Sequence, residues 1–201
     1  MMKDKNIFFG KTIIKILTLL SVLSIQVMAL SESEISTQMK INIDKTTNLL
    51  QNKEISFTNK TNQIFDTFDS IFDYVSMSRI ALGREWKKLS RDQQNNFIHT
   101  FTLKLKQSYV DKLNLYTDEK VIVKKIEKIK INRIKLHTEL VGQEEVYKII
   151  YKFHKSKKKD EWLIYDVEMV GVSIMKTYRS QFKEYLLANS FDKLLTKLKT
   201  K

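Results

Sequence analysis

The spacing of apolar residues along this 201-residue chain changes twice, and the two changes divide it into helix, sheet and helix. Before about residue 120, apolar side chains recur at the three- to four-residue spacing of amphipathic helices. From there to Gly171 they alternate with polar residues, as in a half-buried strand. After Gly171 the helical spacing returns. The pattern predicts an α+β fold, with N-terminal and C-terminal helices covering one face of a curved, four-stranded antiparallel sheet.

Four helices are predicted in the first part of the chain. Helical spacing indicates helices over residues 34–52 and 60–72, and a shorter one from Tyr74 to Leu82 that stops at Gly83. The fourth begins at a capping box formed by Ser90 and Gln93. This last helix carries an apolar stripe at strict four-residue spacing: Phe97, Phe101, Leu105, Tyr109 and Leu113.

The alternating part predicts four strands joined as a meander. They cover residues 121–126, 134–140, 147–153 and 162–167, with a turn at Gly142-Gln143 and a charged hairpin tip at 156–160. Ser190 then caps a final short helix. It follows a helix whose apolar residues are again four apart: Ile174, Tyr178, Phe182 and Leu186.

The amino terminus is typical of a secretory signal peptide. Four Lys residues precede an uncharged apolar run over residues 16–27, and Val27-Met28-Ala29 supplies the small residues that a signal peptidase requires. The run is about a dozen residues, whereas a membrane-spanning helix needs about 20. We expect residues 1–29 to be removed after Ala29. The chain has no Pro and four Gly, so residues 30–201 are expected to form a single soluble domain without a linker.

The net charge of +13 falls to +10 when the signal peptide, with its four Lys and one Asp, is removed. A basic chain suggests nucleic-acid binding, but export and the even spread of Lys along the sequence argue against it. Weak attraction to anionic membrane surfaces is one interpretation of the charge, and a solvated Lys-rich face is the other.

The sequence offers no recognisable catalytic constellation. It has no Cys, no G-x-S-x-G and no H-E-x-x-H, and His99, His137 and His154 are far apart. We therefore expect no enzyme activity, no metal and no cofactor. Without a nucleotide site, a transport role would take its energy from a partner.

Three stretches together resemble a known family. The first is Ile80–Trp86 (IALGREW) followed by Ser90, Gln93 and the aromatic stripe, and the second is Glu161–Val167 (EWLIYDV) running into Val170–Ser173 (VGVS). The third is Thr177–Phe182 (TYRSQF) followed by Phe191–Leu195 (FDKLL). These stretches are similar to the periplasmic phospholipid-binding proteins of the maintenance-of-lipid-asymmetry system, the MlaC or toluene-tolerance family. The likeness covers about residues 35–199.

The resemblance implies a periplasmic carrier for one diacyl phospholipid, and a monomer. In the family, the carrier exchanges lipid between an outer-membrane lipoprotein–porin complex and an inner-membrane ABC transporter with its periplasmic lipid-binding subunit. It also implies that the sheet and helices enclose an apolar cavity. The residues expected to line that cavity are Phe68, Phe72, Val75, Leu82, Trp86, Phe97, Phe101, Leu105, Tyr109, Tyr147, Ile149, Tyr151, Val172, Ile174 and Tyr178.

Other motif residues receive polar or structural interpretations. Arg79 and Arg179 are candidates for the lipid phosphate, because a guanidinium binds phosphate bidentately, and a salt bridge within the fold is the alternative. Gly83 and Trp162 are structural motif positions. Asp166 is expected to accept backbone amides, Gly171 to permit a tight turn and Ser173 to cap the next helix.

Three alternatives stay open at this point. The aromatic stripe could be ordinary core, because most such stripes are. The protein could be a periplasmic hydrolase or isomerase acting on an apolar substrate, with Asp166 or a His in the cavity, because one fold hosts many functions. It could also be a structural or adhesive protein of the envelope.

Overall fold

Side-chain caps fix where five of the helices begin. A computed structural model describes residues 30–114, 118–157 and 160–200. Within it, the side chains of Ser56, Asp73, Ser90, Ser173 and Ser190 each accept a hydrogen bond from the backbone N–H three residues later. This geometry satisfies an N–H group that would otherwise lack a partner in the first helical turn. The caps predicted at Ser90, Ser173 and Ser190 are confirmed, and Ser90 with Gln93 forms the complete capping box.

The described elements follow the predicted order of helices, sheet and helices. The helices are α1 (Ile35–Gln51), α2 (Phe57–Asp69), α3 (Tyr74–Leu82), a 3-10 turn (Glu85–Lys88), α4 (Arg91–Leu113), α5 (Ile174–Ala188) and α6 (Phe191–Lys199). The strands are β1 (Lys120–Lys130), β2 (Arg133–Val141), β3 (Val146–Lys155), β4 (Trp162–Met169) and β5 (Val172–Ser173). The α+β fold and the antiparallel meander are therefore confirmed. The sheet has five strands in the order β1-β2-β3-β4-β5, not four.

The fifth strand arises from a tight turn at the end of β4. Val170 and Gly171 both have positive φ, at 50° and 80°, so the chain reverses immediately and pairs Val172 with Met169. Glycine adopts this conformation without steric cost, which confirms the tight turn expected at Gly171. Alternation over two residues is too short to be recognised from sequence.

The second helix also differs from the prediction, because it spans Phe57–Asp69 instead of 60–72. Ser56 caps it three residues earlier than expected. Beyond its end, the carbonyl of Ile71 accepts from the N–H of Ile164 at 2.7 Å, and the N–H of Asp73 donates to the carbonyl of Ile164 at 2.8 Å. These bonds hold the segment beside β4 and prevent the helix from continuing.

The sheet bends at irregularities in its register. Pairing shifts between Val123 and Lys125 on β1, and again between Lys152 and Phe153 on β3. Bulges of this kind increase the local twist and bend of a sheet. One face of the bent sheet packs against α1.

Two apolar clusters hold the elements together. The first lies between α1 and the sheet and includes Ile35, Met39, Phe153 and Ile164. The second lies among α3, α4, α5 and α6. Phe72 and Ile174 pack against both clusters and so connect them. In the described part of the chain, no helix is long and apolar enough to cross a membrane.

Candidate functional site

A cavity of about 340 Å³ lies between the curved sheet and the helices α1, α2 and α4. Its size falls within the roughly 300–1,000 Å³ typical of small-molecule sites. Most of the wall is aliphatic or aromatic: Ile43, Leu50, Ile64, Phe65, Phe68, Phe72, Tyr74, Met77, Leu105, Tyr109, Leu113, Val121, Leu140, Ile149, Tyr151, Val167, Met169 and Ile174. The polar remainder is Thr46, Thr47, Lys106, Lys112 and Glu119. Such a wall suits an elongated apolar ligand with a polar end.

Seven of the residues expected from the sequence are on this wall. They come from four elements and from the segment after α2, and two of them, Ile149 and Tyr151, lie on β3. The seven are Phe68, Phe72, Leu105, Tyr109, Ile149, Tyr151 and Ile174. Whether any of them contacts a ligand stays a prediction.

Five expected wall residues instead pack in the helical cluster. Phe97 and Phe101 are fully buried there, and Phe101 meets the rings of Tyr178 and Phe182 edge-on. The reason lies in helix geometry, because four residues turn about 400° and a strict four-residue stripe rotates about 40° per step. The N-terminal part of the α4 stripe therefore faces α5 and α6, and the C-terminal part, from Leu105 onward, reaches the cavity. The five are Leu82, Trp86, Phe97, Phe101 and Tyr178.

The other three expected wall residues point toward solvent. Val75 on α3 is 52% exposed, and Val172 is 59% exposed because β5 turns it outward. Tyr147 stands at the exposed end of β3, where its hydroxyl donates to the carboxylate of Glu145. These residues do not line the cavity.

The wall also contains helical residues that the sequence did not assign to it. Ile43 and Leu50 of α1 and Ile64 and Phe65 of α2 already lie on predicted apolar faces. Periodicity identifies which face of a helix is buried. It does not distinguish a face against solid core from one against open space.

Neither arginine proposed for a phosphate is at the cavity. Arg79 is exposed, and its guanidinium lies 3.4 Å from the Ser76 hydroxyl. Arg179 lies across the backbone of Gly83, where an added Cβ would come within 2.8 Å of its Nε atom. Among the described residues neither arginine forms an ion pair, so the alternative of a salt bridge is not found either. Gly83 is the predicted end of α3, with φ 59°.

The basic groups at the cavity are two lysines of α4. Lys106 forms an ion pair with Asp69 of α2, and the other oxygen of Asp69 accepts from the Tyr74 hydroxyl at 2.8 Å. The Lys106 ammonium also lies 5.2 Å from the ring centroid of Phe65. Lys112 is exposed and makes no ion pair with any described residue. One cation is therefore fixed between two helices, and the other is available at the rim.

Asp166 is buried and ties β4 to the start of α5. Its Oδ2 atom accepts from the Ser173 hydroxyl at 2.7 Å and lies 3.0 Å from Lys152 Nζ, while its Oδ1 atom accepts from the backbone N–H of Met175 at 3.1 Å. Lys152 also pairs with Glu168 at 2.7 Å. Burial lowers the pKa of Lys152, but the hydrogen bonds to both carboxylates outweigh that effect and raise it. The backbone contact expected of Asp166 is confirmed, and Trp162 is a buried core residue.

The residues that the enzyme alternative requires lie outside the cavity wall. His137 pairs with Glu127 at 2.8 Å, His154 pairs with Asp73 at 2.7 Å, and His99 is exposed. Asp166 is occupied by the network just described. Within the described ranges, no group of His, Cys, Asp and Glu side chains could hold a metal ion.

Together, these features define an α+β protein in which helices and a curved sheet enclose an apolar binding cavity. Comparison with known sequences is more specific, because the chain belongs to the MlaC protein family, whose family model matches residues 40–200.

Two relatives support this assignment. The chain is 26% identical over 121 residues to the intermembrane phospholipid transport system binding protein MlaC of Haemophilus influenzae. That match covers 59% of this chain and 56% of the relative, so it spans just over half the length of the curated protein. The fold is similar to that of a phospholipid-binding protein from Ralstonia solanacearum solved with a phospholipid. There the TM-score is 0.70 at 19% identity, covering 81% of this chain and 93% of the other.

Proposed function

We propose that this protein is a periplasmic phospholipid carrier that encloses the acyl chains of one diacyl phospholipid. The observation that carries the proposal is the apolar cavity between the sheet and α1, α2 and α4. The family membership and the names of the two relatives support the same ligand. The carrier has no chemistry of its own in this proposal.

The need for an enclosed cavity follows from the ligand. A diacyl phospholipid contains about thirty chain methylenes, and burying each contributes about 0.8 kcal/mol. Leaving both chains in water would therefore cost on the order of 20 kcal/mol. A protein that moves such a lipid through an aqueous compartment must cover the chains, and an apolar wall with deformable residues such as Met77 and Met169 is suited to this.

The cavity is small for two acyl chains, since about 340 Å³ is near the lower end of the usual range. We propose that α2 moves away from α4 when lipid enters. The contact that opposes this movement is the ion pair between Asp69 and Lys106, with Tyr74 attached to the same carboxylate.

The head group is proposed to lie at the lysine-bearing rim. Lys112 is exposed there, and Lys106 lies six residues earlier on the same helix, about 1.7 turns away. An ammonium group binds phosphate as a point charge. The lysines are proposed in place of the candidates Arg79 and Arg179, which do not line the cavity.

The place of action is proposed from the amino terminus and the relatives. The signal peptide over residues 1–29 lies outside the described residues. Leu30, the first residue after the expected cleavage, is buried, and its carbonyl accepts from the N–H of Trp162 at 2.9 Å. This contact shows that residue 30 is already packed against the sheet. The partners proposed are the outer-membrane lipoprotein–porin complex and the inner-membrane ABC transporter with its periplasmic lipid-binding subunit.

Extraction of lipid from vesicles tests the proposal. Purified protein is mixed with vesicles containing isotope-labelled phospholipid, separated by gel filtration and then offered unlabelled vesicles. We expect about one labelled lipid per chain in the protein fraction and transfer of that label to the acceptor vesicles. Protein that acquires no label would contradict the carrier function. Release of lysophospholipid or free fatty acid would instead favour a hydrolase.

A further inference from the structure

Two tyrosines contribute to the cavity wall from elements on opposite sides of it. Tyr109 belongs to α4 and Tyr151 to β3, and both line the cavity. The hydroxyl oxygen of Tyr109 is completely buried and has no hydrogen-bond partner among the described residues. Tyr151 likewise makes no side-chain hydrogen bond within the described part of the chain. A phenylalanine at either position would line the cavity equally well without a polar atom.

An unpaired buried hydroxyl is unfavourable, because it loses its hydrogen bonds to water and gains none in return. Neighbouring tyrosines avoid this cost. The Tyr74 hydroxyl donates to Asp69 at 2.8 Å, and the Tyr178 hydroxyl shares a 3.4 Å hydrogen bond with Ser108. The buried Tyr109 hydroxyl differs from these two because no described group pairs with it, so its partner must come from elsewhere.

Asp166 is not that partner. Burial raises the pKa of Tyr109, and the neighbouring tyrosines and the charge of Asp166 raise it further, so Asp166 is close enough to interact electrostatically. Both oxygens of Asp166 are already engaged, by Ser173, Lys152 and the Met175 N–H. No hydrogen bond joins Asp166 to Tyr109.

Both tyrosines are hydrogen-bond donors at physiological pH. Burial raises the pKa of Tyr151 to about 12, and burial together with neighbouring Tyr151 raises that of Tyr109 further above its ordinary value. The hydroxyls therefore stay protonated. A ligand partner must supply an acceptor.

Acyl chains contain no acceptor, and the acceptors joined directly to them are the carbonyl oxygens of their ester bonds. We propose that the Tyr109 hydroxyl, exposed when the cavity opens around a lipid and with Tyr151 opposite it, donates a hydrogen bond to an acyl-ester carbonyl of that lipid. The inference rests on the proposed function. In this proposal the two tyrosines recognise the ester linkage. The surrounding apolar residues bind the hydrocarbon chains of ester-linked and ether-linked lipids alike.

The test compares ester-linked with ether-linked lipids of the same chain length and head group. Vesicles contain either diacyl or dialkyl phosphatidylglycerol, and retention is measured for wild type, Tyr109→Phe and Tyr151→Phe. Tyr185→Phe is the matched control, because Tyr185 lies on α5 against the helical cluster, away from the cavity wall. One neutral hydrogen bond corresponds to a preference of about fivefold. We expect wild type and Tyr185→Phe to prefer the ester lipid by about that factor, and Tyr109→Phe to lose the preference.

Stability of the lipid-free protein gives a second readout. Removing an unpaired hydroxyl should leave the melting temperature of empty Tyr109→Phe unchanged or raise it, while lowering retention of the ester lipid. A lower melting temperature would show that the hydroxyl has a partner inside the protein and would overturn the inference. Equal retention of both lipids by wild type would also overturn it and leave the carrier function standing. Failure of wild type to retain either lipid would reject both.

Discussion

Lys106 of α4 forms an ion pair with Asp69 of α2 at the wall of the cavity. This ion pair links the two helices through their side chains. Both helices also contribute residues to the cavity wall. Separation of the helices therefore requires the pair to break. This relationship makes the proposed opening of the cavity testable with a single substitution.

Asp69→Asn should speed the release of bound lipid. The substitution removes the charge that attracts Lys106 while keeping the shape of the side chain. Because the pair is partly exposed, its loss should cost no more than about 1 kcal/mol of folding stability. Lipid release into excess acceptor vesicles is the measurement, and a several-fold faster rate is expected. Glu85→Gln, which breaks the surface pair between Glu85 and Lys88 at 2.8 Å, is the control. Equal rates in both variants would show that the pair does not restrain opening.

Ile149→Asp should abolish lipid retention. Ile149 is a buried wall residue, and a carboxylate there would have to be desolvated beside an acyl chain. Its neighbour Ile150 lies on the opposite face of β3, so Ile150→Asp is a control of identical chemistry. Bound phospholipid in organic extracts of each folded variant is measured. Full lipid content in Ile149→Asp would refute the position of the cavity.

Phe101→Ala should affect folding and not the cavity. Phe101 is fully buried in the helical cluster, and removing a buried Phe ring typically costs about 3–5 kcal/mol. We expect a lower urea midpoint with an unchanged lipid-to-protein ratio in the folded fraction. A normal midpoint with lost lipid would mean that the α4 stripe faces the ligand along its whole length.

Lys112→Glu should weaken uptake of anionic phospholipid. A basic residue near an anionic surface contributes about 1 kcal/mol, so charge reversal is expected to reduce uptake by about tenfold at low salt. Arg79→Glu is the matched control, because Arg79 is exposed but distant from the wall. The comparison uses vesicles containing phosphatidylglycerol at two salt concentrations. A larger loss of uptake in Arg79→Glu than in Lys112→Glu would favour Arg79 as the phosphate ligand instead.

Protonation of Asp73 at low pH should lower the free energy of unfolding. Burial raises the pKa of this carboxyl, but hydrogen bonds from His154 and Ser76 outweigh it and hold the pKa at about 2. Because the folded pKa lies below the unfolded value of about 3.9, the contribution is complete above pH 4 and is lost as the pH falls toward 2. It amounts to about 2 kcal/mol. Urea unfolding of wild type and Asp73→Asn should therefore differ at pH 6 and converge near pH 2. A constant difference would contradict the assignment.

Periodicity and local motifs predicted the elements well, because caps, turns and alternation are determined by neighbouring residues. The capping box at Ser90, the turn at Gly171 and the cap at Ser173 are each visible in a few letters. The fifth strand was not predicted, because its pairing with Met169 depends on the turn that the chain makes in between.

The cavity was harder to predict, because helix periodicity shows which residues are buried but not whether they face packed side chains or a cavity. Phe101 and Tyr109 belong to one stripe, yet the first packs on α5 and the second faces open space. The candidates Arg79 and Arg179 lie outside the cavity wall for a similar reason. Guanidinium chemistry favours them as phosphate ligands, whereas Lys106 and Lys112 reach the cavity through the rotation of α4.

Native mass spectrometry of the purified protein, with no lipid added, tests the central claim most directly. The account predicts a chain beginning at Leu30 and carrying one intact diacyl phospholipid, which organic extraction releases unchanged. Protein that is entirely lipid-free, or that retains residues 1–29, would contradict a freely moving phospholipid carrier.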